Sequence, residues 1–250
     1  MPNYITNILH LKAKREILEK ICPDSKTFSF ALTVPYPEDQ QCKYADLELG
    51  NNWYIKNWGT KWNAINPSVT MKTATEITLT FDTAWSPPNI WLQKIHVMFP
   101  TLRFHLVWVD EDFPTSGYIY TKNKVIKSRE YKHNDEKAYA FVKKHFPELY
   151  ESEMKLEKFY KIIKKVSIEL TKQFPQYKRY EIYLCSKDML AITVWKEYKK
   201  KSYSNIFDDL PKNMQKDLLQ KTLELLKING ISGKIKGKHI YLQKDIGLCK

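Results

Sequence analysis

"EITLTFDTAWSPPNIWLQKIHVM", Glu76 to Met98, is the stretch whose reading decides the fold of the first half of this chain. It begins with period two: Ile77, Leu79 and Phe81 alternate with threonines, as in a strand that buries one face. It then changes to helical spacing, with Ile90, Trp91, Ile95 and Met98 on one side. Ser86 reads as the helix cap, and Pro87 and Pro88 fall in the first turn, where a missing N–H costs nothing. A half-buried strand that leads directly into an amphipathic helix predicts a sheet with helices layered on it.

Working outward, "NYITNILHLKA" (Asn3–Ala13) reads as a strand with Ile5, Leu9 and Leu11 beside Asn7 on one face and Tyr4, Thr6, Ile8 and His10 on the other. "AKREILEKIC" (Ala13–Cys22) spaces Ile17, Leu18 and Ile21 for a helix stopped by Pro23, and "TFSFALTV" (Thr27–Val34) reads as a second strand. Downstream of the helix, "RFHLVWVDED" (Arg103–Asp112) and "SGYIYTKN" (Ser116–Asn123) are strands. The expected order over residues 1–125 is β-α-β-β-α-β with one extra strand, an α+β ferredoxin-like sandwich.

Residues 126–155 read as a helical connector, with Asn134 capping "DEKAYAFVKKHF" and Pro147 breaking it. Residues 156–250 then predict a second, basic α+β unit of order α-β-β-α-β-β. Its first helix carries the stripe Phe159, Ile162, Ile163, Val166 and Leu170. Its second lies between Asp208 or Asp209 as cap and the Asn229–Gly230 stop, and its last hairpin turns at Gly237.

Charge divides the chain unequally. Residues 1–120 carry 11 Lys and Arg against 12 Asp and Glu, and residues 121–250 carry 30 against 16, within a total of +13. The excess is expected to serve a phosphate-bearing or acidic partner, with Lys161, Lys164, Lys165, Lys199, Lys200, Lys201, Lys234, Lys236 and Lys238 as the contact set; the bland alternative is compositional lysine bias. No run of eighteen apolar residues and no signal-peptide layout is present, so the expectation is a soluble, cytoplasmic protein without a membrane partner.

Catalytic patterns are sparse. The four cysteines form no C-x-x-C pair, the six histidines form no H-E-x-x-H, and seven glycines leave few places for a phosphate-cradling loop, so no cofactor and no metal are expected. Asp110, Glu111 and Asp112 together with Asp82 keep a metal-dependent nuclease as an alternative.

Three blocks remain: Pro2, Asn3, Asn7 and Leu9; "NWGTKW" from Asn57 to Trp62; and "FDTAWSPP" from Phe81 to Pro88. Together they resemble the YubB-type ferredoxin-like domain, a small family found in proteins of bacteriophages and conjugative plasmids, over residues 1–125. One departure is the segment "DEDFPTSGYIY", shorter than the Gly-rich stretch usual there. The resemblance implies the fold and a mobile-element setting, and no catalytic constellation.

Two readings of the tryptophans follow. They lock the "NWGTKW" and "FDTAW" segments together as a clasp in which Asp82 accepts N–H bonds, or Trp53, Asn57, Trp58, Thr60, Lys61, Trp62, Asp82 and Trp85 form a platform that stacks a base or grips a protein. The function expected is non-catalytic: an accessory protein that binds a host protein or ribonucleoprotein, for example as an inhibitor of a CRISPR nuclease or another defence system. The alternative is a DNA- or RNA-binding regulator that uses the basic C-terminal unit.

Overall fold

The computed structural model describes residues 3–24, 27–37, 47–111, 115–132, 135–175, 179–186, 189–198, 202–205 and 207–242. The chain divides into two compact units, residues 1–147 and 148–250.

In the first unit β1 (Tyr4–Lys12), α1 (Arg15–Ile21), α2 (Leu47–Trp58), β2 (Ile65–Lys72), β3 (Glu76–Ala84), α3 (Asn89–Met98) and β4 (Arg103–Asp110) follow in order. The strands lie as β2-β3-β1-β4, each neighbour antiparallel, which is the ferredoxin-like sandwich. Two more strands, β5 (Thr115–Lys122) and β6 (Val125–Lys132), extend the sheet beyond β4, and α4 (Glu136–His145) packs on them. The β1 register sets the faces: Leu9 lies between Leu79 and Leu106, and His10 between Thr78 and His105. Ile5, Leu9, Leu11, Ile77, Leu79, Phe81, Phe104 and Leu106 therefore bury toward the helices, while the alternate residues line the other face.

Above the buried face sits an aromatic cluster. Phe30 contacts Trp91, Trp58 and Phe81 with ring centroids 4.9, 5.7 and 5.7 Å away, and Phe28 meets Trp91 edge to face. Both buried indoles find acceptors: Trp58 Nε1 donates to the Val34 carbonyl at 3.0 Å and Trp91 Nε1 to Thr33 Oγ1 at 2.9 Å.

Several expectations are corrected. "TFSFALTV" is no strand: Phe30–Leu32 is a 3₁₀ turn whose Ser29 hydroxyl accepts from Ala31 N–H, and Phe30 N–H donates to Asn63 Oδ1. Phe28 and Phe30 alternate because they plug the helix layer, and the sheet position falls to β2. The tryptophan-rich stretch, to which the sequence pattern assigns no element, is helical as far as Trp58, the end of α2. The strand marked by Ile77, Leu79 and Phe81 is the second arm of a hairpin over residues 65–84, which turns because Thr73 Oγ1 accepts from the Thr75 and Glu76 N–H groups, without Gly or Pro. The connector expected at 126–155 is divided: β6 pairs with β5 through a turn in which Asn123 and Lys124 both have positive φ, and α4 is capped by Asp135, Asn134 lying outside the described residues.

The second unit contains α5 (Pro147–Gln173), β7 (Arg179–Ser186), β8 (Met189–Tyr198), β9 (Ser202–Asn205), α6 (Lys212–Ile228), β10 (Gly233–Lys236) and β11 (His239–Leu242). Its sheet runs β10-β11-β8-β7 with β9 on β8, one strand more than the sequence pattern predicts. The core joins Phe159, Ile163, Val166 and Leu170 of α5 to Leu218, Leu219, Leu223 and Leu226 of α6 over Tyr180, Ile182, Leu190, Ile192 and Ile240. α6 starts after Pro211 rather than on an aspartate cap; Asp208 instead pairs with Lys238 at 2.7 Å. Gly230, at φ +83°, follows its last turn. No helix among the described residues is long and apolar enough to cross a membrane.

Trp58 carries the aromatic cluster, so Trp58→Ala is expected to cost about 3–5 kcal/mol of unfolding free energy, measured by denaturant titration.

Candidate functional site

The three sequence blocks converge on one corner of the first unit. Gly59 ends α2 at φ +84°, with its N–H bonded to the Ile55 carbonyl at 3.0 Å, and a Cβ there would lie 2.1 Å from Asn89 Oδ1. Only glycine suits both the left-handed backbone and that close approach. The turn delivers Thr60 to the end of β3, where its buried hydroxyl donates to the Ala84 carbonyl at 2.9 Å and accepts from the Ala84 N–H at 3.1 Å. Ser86 is not the helix cap; its hydroxyl donates to the Gly59 carbonyl at 2.6 Å. Asn7, fully buried, donates through Nδ2 to Thr83 Oγ1 at 3.0 Å and to the Ile5 carbonyl at 2.8 Å, and Trp85 N–H donates to the Asn3 carbonyl at 3.0 Å.

The clasp therefore exists, but it is built from backbone, Thr60, Ser86 and Asn7 rather than from Asp82. Asp82 lies on the far face of the sheet and accepts from the Thr6 hydroxyl at 3.1 Å. Burial pushes its carboxyl above the ordinary range, opposed by the Thr6 bond and reinforced by Glu111.

The tryptophans separate by role. Trp58 is core. Trp53 is half-buried within a cluster of Tyr36, Tyr54 and Trp58, and Tyr54 stacks on Trp58 at 4.7 Å. Asn57 caps its own helix turn, donating to the Trp53 carbonyl and accepting from Lys94 Nζ. Trp85 differs: it is 55% exposed and holds φ +69°, an uncommon conformation for a bulky residue. Lys61 places its ammonium 4.0 Å from the Trp85 ring centroid and 5.9 Å from that of half-buried Trp62. Of the expected platform, Lys61, Trp62 and Trp85 come together at the surface, Thr60 fastens the adjoining backbone, and Trp53, Asn57 and Trp58 belong to α2 and its own packing.

The basic residues are not gathered in the same way. Lys161 pairs with Glu157 at 2.6 Å, Lys165 donates to Asn229 Oδ1, Lys238 pairs with Asp208, and Lys236 lies over Tyr241. Lys164 and Lys234 are exposed; Lys199, Lys200 and Lys201 lie outside the described residues. Part of the positive charge assigned to the C-terminal half belongs to the first unit: residues 121–147, spanning β6 and α4, carry eight Lys and Arg against three Asp and Glu.

The nuclease-like carboxylates come together only as a pair. Glu111 stands near enough to Asp82 to raise its carboxyl, whereas Asp110 pairs with Ile5 on the helix-side register, opposite to Asp82, and Asp112 lies outside the described residues. Among the described residues no group of three His, Cys, Asp or Glu could hold a metal ion.

The sheet face away from the helices carries a feature that sequence pattern alone did not mark. His10 of β1 and His105 of β4 stack at 6.4 Å, His105 meets Tyr120 edge to face at 6.1 Å, and Tyr118 lies 5.7 Å from Tyr120. α4 adds Phe141, 6.1 Å from Tyr118, and His145, 4.6 Å from Phe141. Burial holds the His105 imidazole below its ordinary value, helped by His10, His145 and Lys144; burial, then Lys144 and His10, do the same for His145. The signal available in sequence was the alternation His105, Tyr118, Tyr120 and Tyr131, legible only once the β4-β5-β6 register is known.

A family model described as a ferredoxin-like domain in Api92-like protein matches residues 57–153, about two-fifths of the chain. The match begins at the "NWGTKW" block and runs through β6 and α4. It speaks to the fold and carries no activity or partner. No curated protein and no solved structure matches the chain.

Two outcomes are expected. Gly59→Ala should lower stability by about 2–4 kcal/mol, through left-handed strain and the clash with Asn89, as read by denaturant unfolding. The depressed histidines bind protons more readily unfolded than folded, so their contribution is present above about pH 6.5 and is lost as pH falls through the lower folded values. Thermal midpoints measured at pH 7.5 and 5.5 should fall on acidification, and the fall should be smaller in the His105→Gln, His145→Gln double variant.

Proposed function

We propose that this protein is a non-catalytic binding protein whose first unit docks on a partner protein through the corner formed by Trp85, Trp62 and Lys61. The observation that carries this reading is Trp85, a large aromatic side chain presented at 55% exposure on a left-handed backbone. Such a conformation costs about 1–2 kcal/mol and persists only where its surroundings over-determine it. Here those surroundings are the bond from Trp85 N–H to Asn3 and the bonds that tie its neighbours Ala84 and Ser86 to Thr60 and Gly59, which draw on three separate parts of the chain. A tryptophan held on a fixed backbone suits a binding hot spot, because a large apolar area is desolvated on contact and little rotamer freedom is lost.

The resemblance of the same blocks to YubB-type domains supports a setting in bacteriophages or conjugative plasmids. The partner proposed is accordingly a host protein or ribonucleoprotein, and the role an anti-defence one, such as inhibition of a CRISPR nuclease. The exposed lysines of the second unit, Lys164 and Lys234 among them, would speed encounter with an acidic or phosphate-bearing partner.

The test compares the full chain with its Trp85→Gly and Lys61→Glu variants in affinity capture from host lysate, with and without nuclease. A protein retained after nuclease treatment by the parent, and at least tenfold less by Trp85→Gly, is the expected result. Retention that ignores Trp85, or that vanishes with nuclease, would overturn the reading. Trp85→Gly should unfold within about 1 kcal/mol of the parent, since relief of left-handed strain offsets the entropy of glycine and the lost cation–π contact.

A further inference from the structure

We infer that the sheet face of the first unit, between β1 and α4, is a binding site for single-stranded nucleic acid, independent of the Trp85 corner. Two adjoining cavities share His105 and Tyr120. One, of about 450 Å³, is bounded by His10, Lys12, Met71, Thr78 and Arg103 among others. The second, of about 550 Å³, is bounded by Tyr118, Tyr131, Phe141, Lys144 and His145 among others. Together they make a trough across the strands whose floor is aromatic and imidazole ring.

Charge selects the occupant. The charged residues lining the two cavities are Lys12, Arg103, Lys137 and Lys144 against one carboxylate, Glu76, and that carboxylate is paired with Lys12. Three histidines, His10, His105 and His145, add donors, and Arg129 lies 4.9 Å over Tyr131 at the β6 border. An anion fits this field and a cation does not. The rings of His105, Tyr118 and Tyr120 offer surfaces on which planar groups stack, so the ligand must present both phosphates and unstacked bases. A duplex hides its base faces inside the stack; a single strand exposes them. The floor spans β1, β4 and β5, side by side at about 4.8 Å per strand, which gives room for more than one nucleotide. The histidines are not a metal site: His10 and His105 stack ring on ring, and no metal-binding group occurs among the described residues.

The site lies in the first unit, whereas the chain's most obvious lysines lie in the second, and this separation makes the test decisive. Fluorescence anisotropy is read with the full chain at 100 mM salt, using one fluorescein-labelled 12-nucleotide sequence as single-stranded RNA, as single-stranded DNA and as the DNA duplex. The single strands are expected to bind at least tenfold more tightly than the duplex. Preference for RNA would assign contacts to the 2′-hydroxyl, and equal binding would assign recognition to base and phosphate alone; either supports the site. His105→Ala with Tyr120→Ala should weaken binding at least tenfold, and Lys144→Glu, at an exposed position that leaves the core untouched, at least fivefold. Lys164→Glu with Lys234→Glu in the second unit should change it less than twofold. Circular dichroism and thermal melts accompany each variant, and Lys144→Glu decides alone if the aromatic variant does not fold. Duplex bound as tightly as single strand, no binding of either single strand at 20 μM protein, or loss of binding on changing Lys164 and Lys234 but not Lys144, would each overturn the inference.

Discussion

The hydroxyl of Thr60 bonds both the N–H and the C=O of Ala84, and the geometry of the first unit depends on that pair of bonds. Thr60 is fully buried, so leaving either backbone group unmet would cost about 1–3 kcal/mol. The bonds tie the end of α2 to the end of β3 and so close the helix layer over the sheet. Because β3 runs directly into α3, the same fastening sets where Pro88 and Trp91 enter the core. Gly59 must be glycine for Thr60 to arrive, and Trp85 takes its left-handed turn because Ala84 is held on one side and Ser86 on the other. Structural clasp and exposed tryptophan are thus one device: the first fixes the backbone that presents the second.

The two faces of the sheet show how register distributes chemistry. On the helix side most alternate residues of β1, β3 and β4 are apolar and buried, and the polar Asn7 and Thr83 there bond each other, with Asn7 also bonding the Ile5 carbonyl, while Asp110 stands at the end of β4. On the other side the same strands present Thr78, His10 and His105, and β5 adds Tyr118 and Tyr120. Burial, with the neighbouring histidines and Lys144, then depresses the imidazoles of His105 and His145. An excess of charge that looks like a property of the second half of the chain is, in its first part, a property of β6 and α4 beside this face.

The second unit folds by simpler means. Two amphipathic helices, α5 and α6, share a core with a hairpin-built sheet, and their lysines occupy the polar sides. Several of those lysines are matched locally by carboxylates at exposed positions, where such pairs contribute about 0–1 kcal/mol each. Their role in holding the fold is therefore small.

Periodicity alone determined much here: the strands β1, β3, β4 and β5, the helices α1, α3, α5 and α6, the terminal hairpin, and hence an α+β ferredoxin-like sandwich followed by a second α+β unit. These elements each bury a stripe, and a buried stripe must write itself into the spacing of apolar residues. Where burial leaves no such stripe, only the tertiary structure decided. β6 is an edge strand with nearly every side chain in water, so nothing in "VIKSREYK" distinguishes it from a charged connector. "TFSFALTV" alternates as a strand would, yet its phenylalanines fill the helix layer and its carbonyl and hydroxyl oxygens receive the Trp58 and Trp91 indoles. The same limit applies to the sites. The blocks around Trp58 and Trp85 stood out in the sequence, but which tryptophan is core and which faces solvent depends on bonds between residues more than twenty positions apart. The His105–Tyr120 face depends on antiparallel register between strands, which no single segment encodes.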